Sequence, residues 1–397
     1  MAVEGTARGV EAPGANYSVV RRILLALVTA AAVALATLAP AGAGPSAGGI
    51  SSDNLEWVAF QPFQAATGSG AKIIGKHMYV TSWHNFSIYD VSDPLDPQEV
   101  STVPFGFKFE NEDVDGNEKI MIFSEELPDP SLHVWNVEDK TNPVEIAVLD
   151  GAGQHTMSCL ENCKWLYGSD GFIIDLRDPE NPVKLEKGWN EYVKVPFSSS
   201  HDVNEIGPGL VLTSSDPMLL LDTRVPAKPK LLATSMPNGE FIHSSKWPRD
   251  GKDRFALSTG ETWVPGADIR CDDTSGAFRT WDTTGWQQGA AFKNIDTYRP
   301  TGGTVTNGHL PTGTTFGCST HWFEHHPDFN NGGIVAVTFF NHGLHVMRVS
   351  SKGKISDEGY FIPHAGNAAA AEWLTDRIVY SIDLQRGFDV LRYTGKL

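Results

Sequence analysis

The amino-acid sequence predicts an all-β fold, a seven-bladed β-propeller. Three observations lead to this prediction: one turn motif recurs along the chain, short apolar runs come in groups of four, and turn-forming residues are abundant, with 39 Gly and 24 Pro among 397 residues. A repeat of about 40–50 residues is typical of propellers, in which each repeat forms one four-stranded blade. With 41% hydrophobic residues, the chain can bury a substantial core.

The repeated motif is a short apolar run that ends in Asp or Asn and leads into a proline-containing turn. It first reads Tyr-Asp-Val-Ser-Asp-Pro-Leu-Asp-Pro over residues 89–97, and further copies occupy residues 135–143, 174–182 and 221–229. Asp and Asn cap their own backbone in such turns, and Pro presets φ. Each copy therefore predicts a strand, a tight turn and a second strand.

Two stretches of this motif resemble the LVIVD repeat: Ser-Ile-Tyr-Asp-Val-Ser-Asp-Pro over 87–94 and Phe-Ile-Ile-Asp-Leu-Arg-Asp-Pro-Glu-Asn-Pro over 172–182. That family consists of bacterial and archaeal surface or secreted propellers. The resemblance is good in the first four predicted blades and poor in the last three. It implies the fold and a secreted or surface protein, and it implies no particular activity because propellers host many functions.

Residues 1–43 are predicted to be a signal peptide. Arg21 and Arg22 precede an apolar run over 23–39, and Ala-Gly-Ala follows over 41–43. These are the parts of a secretory signal, so we predict cleavage after Ala43 and a secreted or otherwise extracytoplasmic protein. Two alternatives stay open: the apolar run is retained as a membrane anchor, or the arginine pair directs twin-arginine export.

The charge of the chain restricts its partners. The formal net charge is −17 at pH 7, whereas nucleic acid and anionic lipid both attract basic surfaces. We therefore expect no nucleic-acid partner, and a membrane partner only if the signal is retained. The expected species is a monomer that binds a small molecule, a protein or a glycan at its axial face.

All four cysteines follow the predicted signal peptide: Cys159, Cys163, Cys271 and Cys318. An even number in an exported protein favours disulfides. We predict that Cys159 pairs with Cys163, and that Cys271 pairs with Cys318 across a long insertion. A Cys-x3-Cys metal site is the alternative for the first pair, but no second pair at suitable spacing accompanies it.

The remaining chain divides into a linker over 44–54 and the propeller over 55–397. The apolar run at 55–61 has no blade around it, so we assign it as the outer strand of the last blade, which closes the ring. The predicted blades 1 to 7 span 69–101, 106–149, 151–186, 197–233, 239–298, 318–361 and 362–395. Blade 5 carries an insertion over 263–278, and a Thr/Gly-rich loop follows over 299–317. Long loops of this kind build binding rims.

Four histidines occupy the same place in successive blades. His155, His201, His243 and His321 lie near the starts of blades 3 to 6. Because the first strand of a blade lines the channel, we expect these side chains to converge on the axis. Convergent neutral imidazoles are the usual way to hold a transition metal, and we predict iron or copper before zinc or manganese. The alternative is that each inner-strand histidine simply bonds to the next blade.

Other residues could complete such a site. Glu110 or Glu112 of blade 2 could supply a carboxylate, as a ligand or as the partner that orients an imidazole. Further possible ligands are Glu324, His325 and His364. The layout resembles the four-histidine iron site of the carotenoid oxygenases and the histidine-lined face of the selenium-binding or methanethiol oxidase propellers, although the chain contains no extended motif of either family.

The leading functional prediction is a secreted or cell-surface binding propeller of the LVIVD type with an axial metal or ligand site. One alternative is an iron- or copper-dependent oxidase or oxygenase that uses the four histidines as ligands, and another is a metal-free interaction module. Carboxylate pairs drawn from Glu110, Glu112, Glu240 and Glu324 leave glycoside chemistry open. The sequence contains no Gly-x-Ser-x-Gly elbow and no phosphate-binding Gly-rich loop.

Overall fold

The computed structural model describes residues 48–63, 68–108, 112–127, 129–262, 264–265, 271, 276–300, 314–315, 317–364 and 366–397. These residues form seven antiparallel sheets arranged as the predicted seven-bladed propeller. First strands of neighbouring blades contact one another, as Met157–Leu160 contacts Val203–Gly207 and Ala368–Trp373 contacts Gly68–Ile74. The first strands therefore line the axis, and each blade runs outward from it.

The strand bounds follow the predicted blades closely. Blade 1 contains Gly68–Ile74, His77–Ser82, Asn85–Asp90 and Gln98–Pro104. Blade 2 contains Asp115–Gly116, Ile120–Glu125, Ser131–Asn136 and Val144–Asp150. Blade 3 contains Met157–Leu160, Trp165–Gly168, Ile173–Asp175 and Val183–Lys184. Blade 4 contains Val203–Gly207, Leu210–Thr213, Leu219–Asp222 and Lys230–Thr234.

The later blades carry the additional elements. Blade 5 contains Ile242–Lys246, Phe255–Gly260, Phe278–Asp282 and Lys293–Tyr298. Blade 6 contains Phe323–His325, Gly333–Thr338, Leu344–Val349 and Ile355–Pro363, and blade 7 contains Ala368–Trp373, Ile378–Asp383 and Gly387–Tyr393. A small extra pair joins Val264–Pro265 to Thr314–Thr315. The short helical elements are Pro248–Gly251, Trp189–Tyr192 and Trp286–Gln288.

The ring closes as the sequence predicts. Leu55–Pro62 pairs antiparallel with Gly387–Tyr393 and is the outer strand of blade 7, so the two ends of the propeller share one sheet. The predicted linker at 44–54 is shorter than expected, because Gly49–Ser51 forms a fifth strand on the outside of blade 6. A side chain at Gly49 would lie 2.2 Å from the carbonyl oxygen of Ile362, which explains the glycine there. The predicted signal peptide at 1–43 lies outside the described residues.

The repeated Asp-Pro turns have the predicted geometry, and they also join neighbouring blades. Asp90 Oδ1 accepts the Ser92 N–H at 2.8 Å, and Asp175 Oδ1 accepts the Arg177 N–H at 3.1 Å. The Tyr167 hydroxyl of blade 3 donates to the Pro226 carbonyl in the turn of blade 4 at 2.6 Å. The Asp side chains therefore cap their own hairpins, and the blade 4 turn that contains Pro226 also accepts a hydrogen bond from blade 3.

The core lies between blades, where the middle strands are apolar on both faces. One cluster joins blades 1 and 2 through Tyr79, Phe86, Phe123 and Trp135. The outer strands are more exposed, as Val144 and Val183 show.

Both predicted cysteine pairs are confirmed, with Cα–Cα distances of 4.4 Å for Cys159 and Cys163 and 5.0 Å for Cys271 and Cys318. Within the described residues, no helix is long and apolar enough to cross a membrane.

Candidate functional site

The four in-phase histidines lie side by side at one end of the axis. The ring centroids of His155 and His201 are 4.4 Å apart, those of His201 and His243 are 3.8 Å apart, and those of His243 and His321 are 4.1 Å apart. Blades 3 to 6 each supply one ring of this row. The phase seen in the sequence therefore corresponds to a continuous row of imidazoles in space.

Hydrogen bonds or strand pairing hold the backbones of three of the four histidines at this position. The His201 carbonyl accepts a bond from the Thr156 hydroxyl of the preceding blade, and the His321 carbonyl accepts one from Thr259 at 2.6 Å. His243 lies in strand Ile242–Lys246 at a β-bulge, where the register shifts between residues 242 and 244. Bulges redirect a side chain, which is how a residue inside a strand turns toward its neighbours in the row.

The carboxylate of Glu112 lies among the four imidazoles. Its Oε1 is 3.3 Å from His155 Nε2, 3.1 Å from His201 Nε2 and 3.5 Å from His243 Nε2. Its Oε2 is 3.4 Å from His321 Nε2. All four Nε2 atoms therefore meet one carboxylate. We call these five residues, Glu112, His155, His201, His243 and His321, the histidine cluster.

Blade 1 contributes no side chain to the histidine cluster, but its Gly70 lets the backbone of Glu112 approach closely. A side chain at Gly70 would lie 1.8 Å from the carbonyl oxygen of Glu112, so the backbones of blades 1 and 2 approach closely there. Only glycine permits that approach. Blade 7 contributes a backbone carbonyl, because Ala369 O lies 2.8 Å from His321 Nδ1.

The outer nitrogens of the two end imidazoles have acceptors, and the acceptor of His321, a backbone carbonyl, determines the tautomer of that ring. His321 Nδ1 donates to Ala369 O, and His155 Nδ1 lies 2.9 Å from Glu126 Oε2. A neutral histidine that donates through Nδ1 carries its lone pair on Nε2. Metal-bound histidines show the same pattern, in which the second nitrogen donates to a carboxylate or a carbonyl.

The two middle histidines are buried without such partners. His243 is fully buried, and within the described residues neither of its ring nitrogens has a hydrogen-bond partner. His201 Nδ1 is likewise unpaired in the same part of the chain. Buried polar atoms normally have partners, since an unmet donor or acceptor costs about 1–3 kcal/mol. The two middle histidines therefore have unsatisfied ring nitrogens within the described residues.

Burial and neighbouring charges shift the pKa values of the cluster in opposite directions. Burial, followed by repulsion from His155, lowers the pKa of His201 to about 4, and burial beside His201 and His321 lowers the pKa of His243 well below its ordinary value. Burial acts in the same direction on His321, but its bonds to Glu112 outweigh it and raise the pKa. Burial alone would raise the pKa of Glu112, and the imidazoles, His155 first, reverse this and hold it well below its usual range.

The other predicted site residues do not join this cluster. Glu110 lies outside the described residues. Glu324 pairs with Lys246 and with His325, whose Nδ1 is 3.2 Å from Glu324 Oε1. His364 is exposed, and its backbone N–H donates to Gly48 O at 3.2 Å. The outer strand of blade 6 runs on to residue 363, which leaves His364 beside the added strand Gly49–Ser51.

Sequence reasoning missed two acids that face the cluster. Glu126 accepts from His155, and its side chain is 40% exposed while that of His155 is 30% exposed, so the row opens to solvent at this end. Glu261 Oε1 lies 3.9 Å from His321 Nε2, and burial raises the pKa of this carboxyl to about 7. Both acids directly follow the second strand of their blades, Ile120–Glu125 and Phe255–Gly260, a shared position that the sequence reasoning did not use.

A cavity of about 320 Å³ adjoins the cluster on the side of blade 5. Glu261 and Phe241 belong to its wall, and the Phe241 ring lies 5.5 Å from the His201 ring. Arg299 contributes a positive charge to the same wall and bonds Glu240 at 3.1 Å. Phe241 and Glu261 therefore lie between the cavity and the row of imidazoles, and the cavity wall carries both acidic and basic side chains.

A second polar group lies on the same first strands. It comprises Lys72, Asp115, Lys246, Glu324 and Glu372, from blades 1, 2, 5, 6 and 7, and we call it the charged cluster. Lys72 Nζ lies 3.5 Å from Asp115 Oδ1, and Lys246 pairs with Glu324. Burial, reinforced by the charge of Glu324, raises the pKa of Glu372 to about 7.

Comparisons with known proteins identify the fold. No protein-family model and no curated protein matches the chain. The structure of YCF48 bound to D1 peptide matches with a TM-score of 0.55 over 88% of this chain and 100% of that chain, at 11% identity. The WD40 β-propeller domain of Doa1 matches with a TM-score of 0.55 over 87% of this chain and 99% of that chain, at 10% identity. Identities this low indicate a shared propeller fold and nothing more specific.

Proposed function

We propose that this protein is an exported propeller that binds a transition metal through His155, His201, His243 and His321. One observation carries the proposal: four blades direct their Nε2 atoms at the single carboxylate of Glu112. Neutral imidazoles present lone pairs, and lone pairs of nitrogen and oxygen that face each other at 3.1–3.5 Å repel unless a cation or protons lie between them. A bound cation removes that repulsion.

The donor set fits such a cation. Ligand atoms of Glu112, His243 and His321 lie within 4.8 Å of one another, as do those of Glu112, His155 and His201. The bond to Ala369 presets the tautomer of His321, and Glu126 offers an acceptor to His155. Imidazole suits iron, copper, nickel and zinc, and Glu112 adds a hard oxygen donor. We expect iron or copper in preference to zinc or manganese.

The proposals that the protein is exported and that it is related to the LVIVD-type propellers rest on the sequence. The apolar segment that precedes Ala43, the two cysteine pairs and the acidic composition all suit a secreted or surface protein. The turn motif at 89–97 and its copies support membership of the LVIVD-type propellers, a proposal drawn from the residues because no family model matches the chain.

The test is the metal content of the exported, untagged protein after gentle purification without chelators. We expect about one equivalent of iron or copper in the wild type and none in a His201→Ala plus His321→Ala variant. His133→Gln is the matched control, because His133 is equally buried but pairs with Glu125 and Glu145 in blade 2. That control should keep its metal.

The binding result also has a thermodynamic readout. A metal that binds the folded state alone stabilises it by about 2.7 kcal/mol at a hundred times its Kd. No metal in the wild type, together with unchanged melting when iron, copper, zinc or manganese is added, would sink the proposal. The histidines would then serve as packing in a metal-free interaction module.

A second candidate is an oxidase or oxygenase built on the same metal. The observation in its favour is the cavity beside the row, where Glu261 has its pKa raised to about 7 and can exchange protons near neutral pH. Oxygen consumption by the metal-loaded protein with a panel of small apolar and sulfur compounds tests it. Turnover that Glu261→Gln removes without loss of metal would establish catalysis, whereas bound metal without turnover would leave a binding protein.

A peptide or protein partner at the axial face is a further element of the proposal. YCF48, which shares the fold, is bound to a D1 peptide. Here the end of the axis that carries the exposed parts of His155 and Glu126 offers an acidic, partly open surface. A peptide array displayed against wild type and against Glu126→Ala would identify a ligand for this face.

A further inference from the structure

Two sulfurs and an imidazole come together at the edge of blade 6, outside the histidine cluster. The ligand atoms of Cys271, Cys318 and His342 lie within 4.8 Å of one another. Three separate stretches of chain supply them: the blade 5 insertion, the start of blade 6, and the turn between Gly333–Thr338 and Leu344–Val349. The proposed metal site of the histidine cluster uses none of the three residues.

A relay of hydrogen bonds orients the imidazole. His342 Nδ1 lies 2.9 Å from His345 Nε2, and His345 Nδ1 lies 2.7 Å from Asp357 Oδ2. Asp357 also accepts the Tyr298 hydroxyl at 2.8 Å and the Gly359 N–H at 3.1 Å. The carboxylate is therefore held by three donors, and its acceptor lone pairs face the fully buried His345.

The relay determines which nitrogen of His342 carries a lone pair. Asp357 accepts the Nδ1 proton of His345, so a neutral His345 has its lone pair on Nε2. His345 Nε2 lies 2.9 Å from His342 Nδ1 and 3.2 Å from the His342 carbonyl oxygen. When this nitrogen accepts the Nδ1 proton of His342, the His342 lone pair is on Nε2. A carboxylate that acts through an imidazole N–H is the usual support of a metal-ligating histidine, and here a second imidazole extends it.

A disulfide alone does not require this arrangement. Two cysteines at a Cα–Cα distance of 5.0 Å can bridge without any imidazole nearby. The pair Cys159 and Cys163 does so: no group of metal ligands in the described part of the chain includes it. The difference between the two pairs is the supported imidazole, and two thiolates with one imidazole are three of the four ligands of a zinc site.

We propose that Cys271 and Cys318 form a reversible pair whose reduced form binds Zn²⁺ through the two sulfurs and His342 Nε2. A small thiol reductant supplies the two electrons and two protons that convert the disulfide into two thiols, and it leaves as its own disulfide. Zinc binding then releases both thiol protons. Three protein ligands leave the fourth tetrahedral position for water or a small ligand.

The experiment uses Co²⁺ as the probe, because cobalt bound to thiolate gives a sulfur-to-metal charge-transfer absorption. The histidine cluster contains no sulfur and cannot produce that band. The full-length exported protein carries Cys159→Ser and Cys163→Ser, and a phosphine reduces the remaining pair without adding thiolates. We expect the charge-transfer band to saturate with one equivalent of Co²⁺ beyond any metal held by the histidine cluster, and Zn²⁺ to abolish the band by displacement.

Matched variants separate the ligands from their support. Cys271→Ser and Cys318→Ser should each lose the band, and His342→Ala should weaken cobalt binding at least about tenfold. His345→Gln, which interrupts the relay without touching the sulfurs, should weaken binding by about 10–100-fold with the band retained at saturation. His84→Ala, at an exposed histidine in blade 1, is the control and should bind as the parent does.

Two results would overturn the site. One is a reduced, folded protein, verified by thiol titration and circular dichroism, that shows no charge-transfer band. The other is an unchanged cobalt affinity in His342→Ala. Either result leaves the metal content of the histidine cluster unaffected, and loss of metal from that cluster leaves the sulfur–cobalt band in place, so the two proposals fail independently.

Discussion

The histidine cluster and the charged cluster lie on the same set of first strands, yet they satisfy their polar groups in opposite ways. In the charged cluster each lysine has a carboxylate partner, Lys72 with Asp115 and Lys246 with Glu324. In the histidine cluster four nitrogens face one carboxylate, and His243 has no hydrogen-bond partner in the described residues. The charged cluster contains a carboxylate for each lysine, whereas the histidine cluster has more imidazole nitrogens than carboxylates, and the proposed cation site rests on that difference.

Removal of a lysine from the charged cluster should have the largest effect on the free energy of unfolding. In Lys246→Met the carboxylate of Glu324 loses the charge that holds its pKa below the usual range against burial. Each side chain of this pair is 23% exposed, which places the cost of removing one partner at the lower end of the about 3–5 kcal/mol typical of a buried pair. We expect a fall of about 3 kcal/mol in the free energy of unfolding, measured in urea, with metal content unchanged. Loss of metal without loss of stability would reverse the roles assigned to the two clusters.

A smaller effect should come from pH acting on the metal-free histidine cluster. The pKa of His201 is about 4 in the folded state, against an ordinary value of 6.5. At pH values between these two, His201 is therefore protonated in the unfolded chain and neutral in the folded chain. Stability is therefore lost as pH falls below 6.5, by about 2 kcal/mol between pH 7 and pH 5.

The check is urea unfolding of the apoprotein at both pH values. His201→Gln should flatten the pH dependence by that amount, whereas His133→Gln should keep it. An equal slope in the wild type and His201→Gln would show that the imidazole takes up a proton in the folded state, which contradicts the lone-pair arrangement proposed for the cluster.

The smallest expected effect is on metal affinity, and it comes from substitution of Glu126, which orients the imidazole of His155. Glu126→Ala removes the acceptor of the His155 Nδ1 proton, and loss of such a partner typically lowers metal affinity by about tenfold or more. Glu126→Gln keeps an acceptor oxygen and should cost less. Competition of each variant with a chelator of known affinity measures the difference. An unchanged affinity in Glu126→Ala would remove His155 from the ligand set.

The candidate site was partly visible in the sequence, and the limits have physical causes. Repetition placed His155, His201, His243 and His321 at equivalent points of four blades, and equivalent points of a propeller meet at the axis. The same reasoning included His364, which lies at the surface because the preceding strand extends to Pro363 and blade 7 presents the Ala369 carbonyl instead. Periodicity predicts a position in a blade and does not predict where an extended strand ends.

The sequence predicts the positions of the carboxylates around the histidines less well than those of the histidines themselves. The sequence offers Glu110 and Glu112 as carboxylates for the histidines and Glu324 as a further possible ligand. The structure places Glu112 among the histidines and Glu324 beside Lys246. Glu261 lies close to His321, and its position directly after the second strand of its blade, shared with Glu126, does not by itself predict that contact. The choice depends on close approaches such as that of Gly70 to the Glu112 backbone, which follow from the packing of one blade on the next.

The sequence by itself determined the propeller fold, its seven blades, the closing strand at Leu55–Pro62 and the phase of the four histidines. These features depend on local turn chemistry and on repetition, both of which are written along the chain. Only the tertiary structure decided that Glu112 meets the four imidazoles and that His342 meets Cys271 and Cys318. Both arrangements join residues from different blades or loops, and such contacts exist only once the ring has closed.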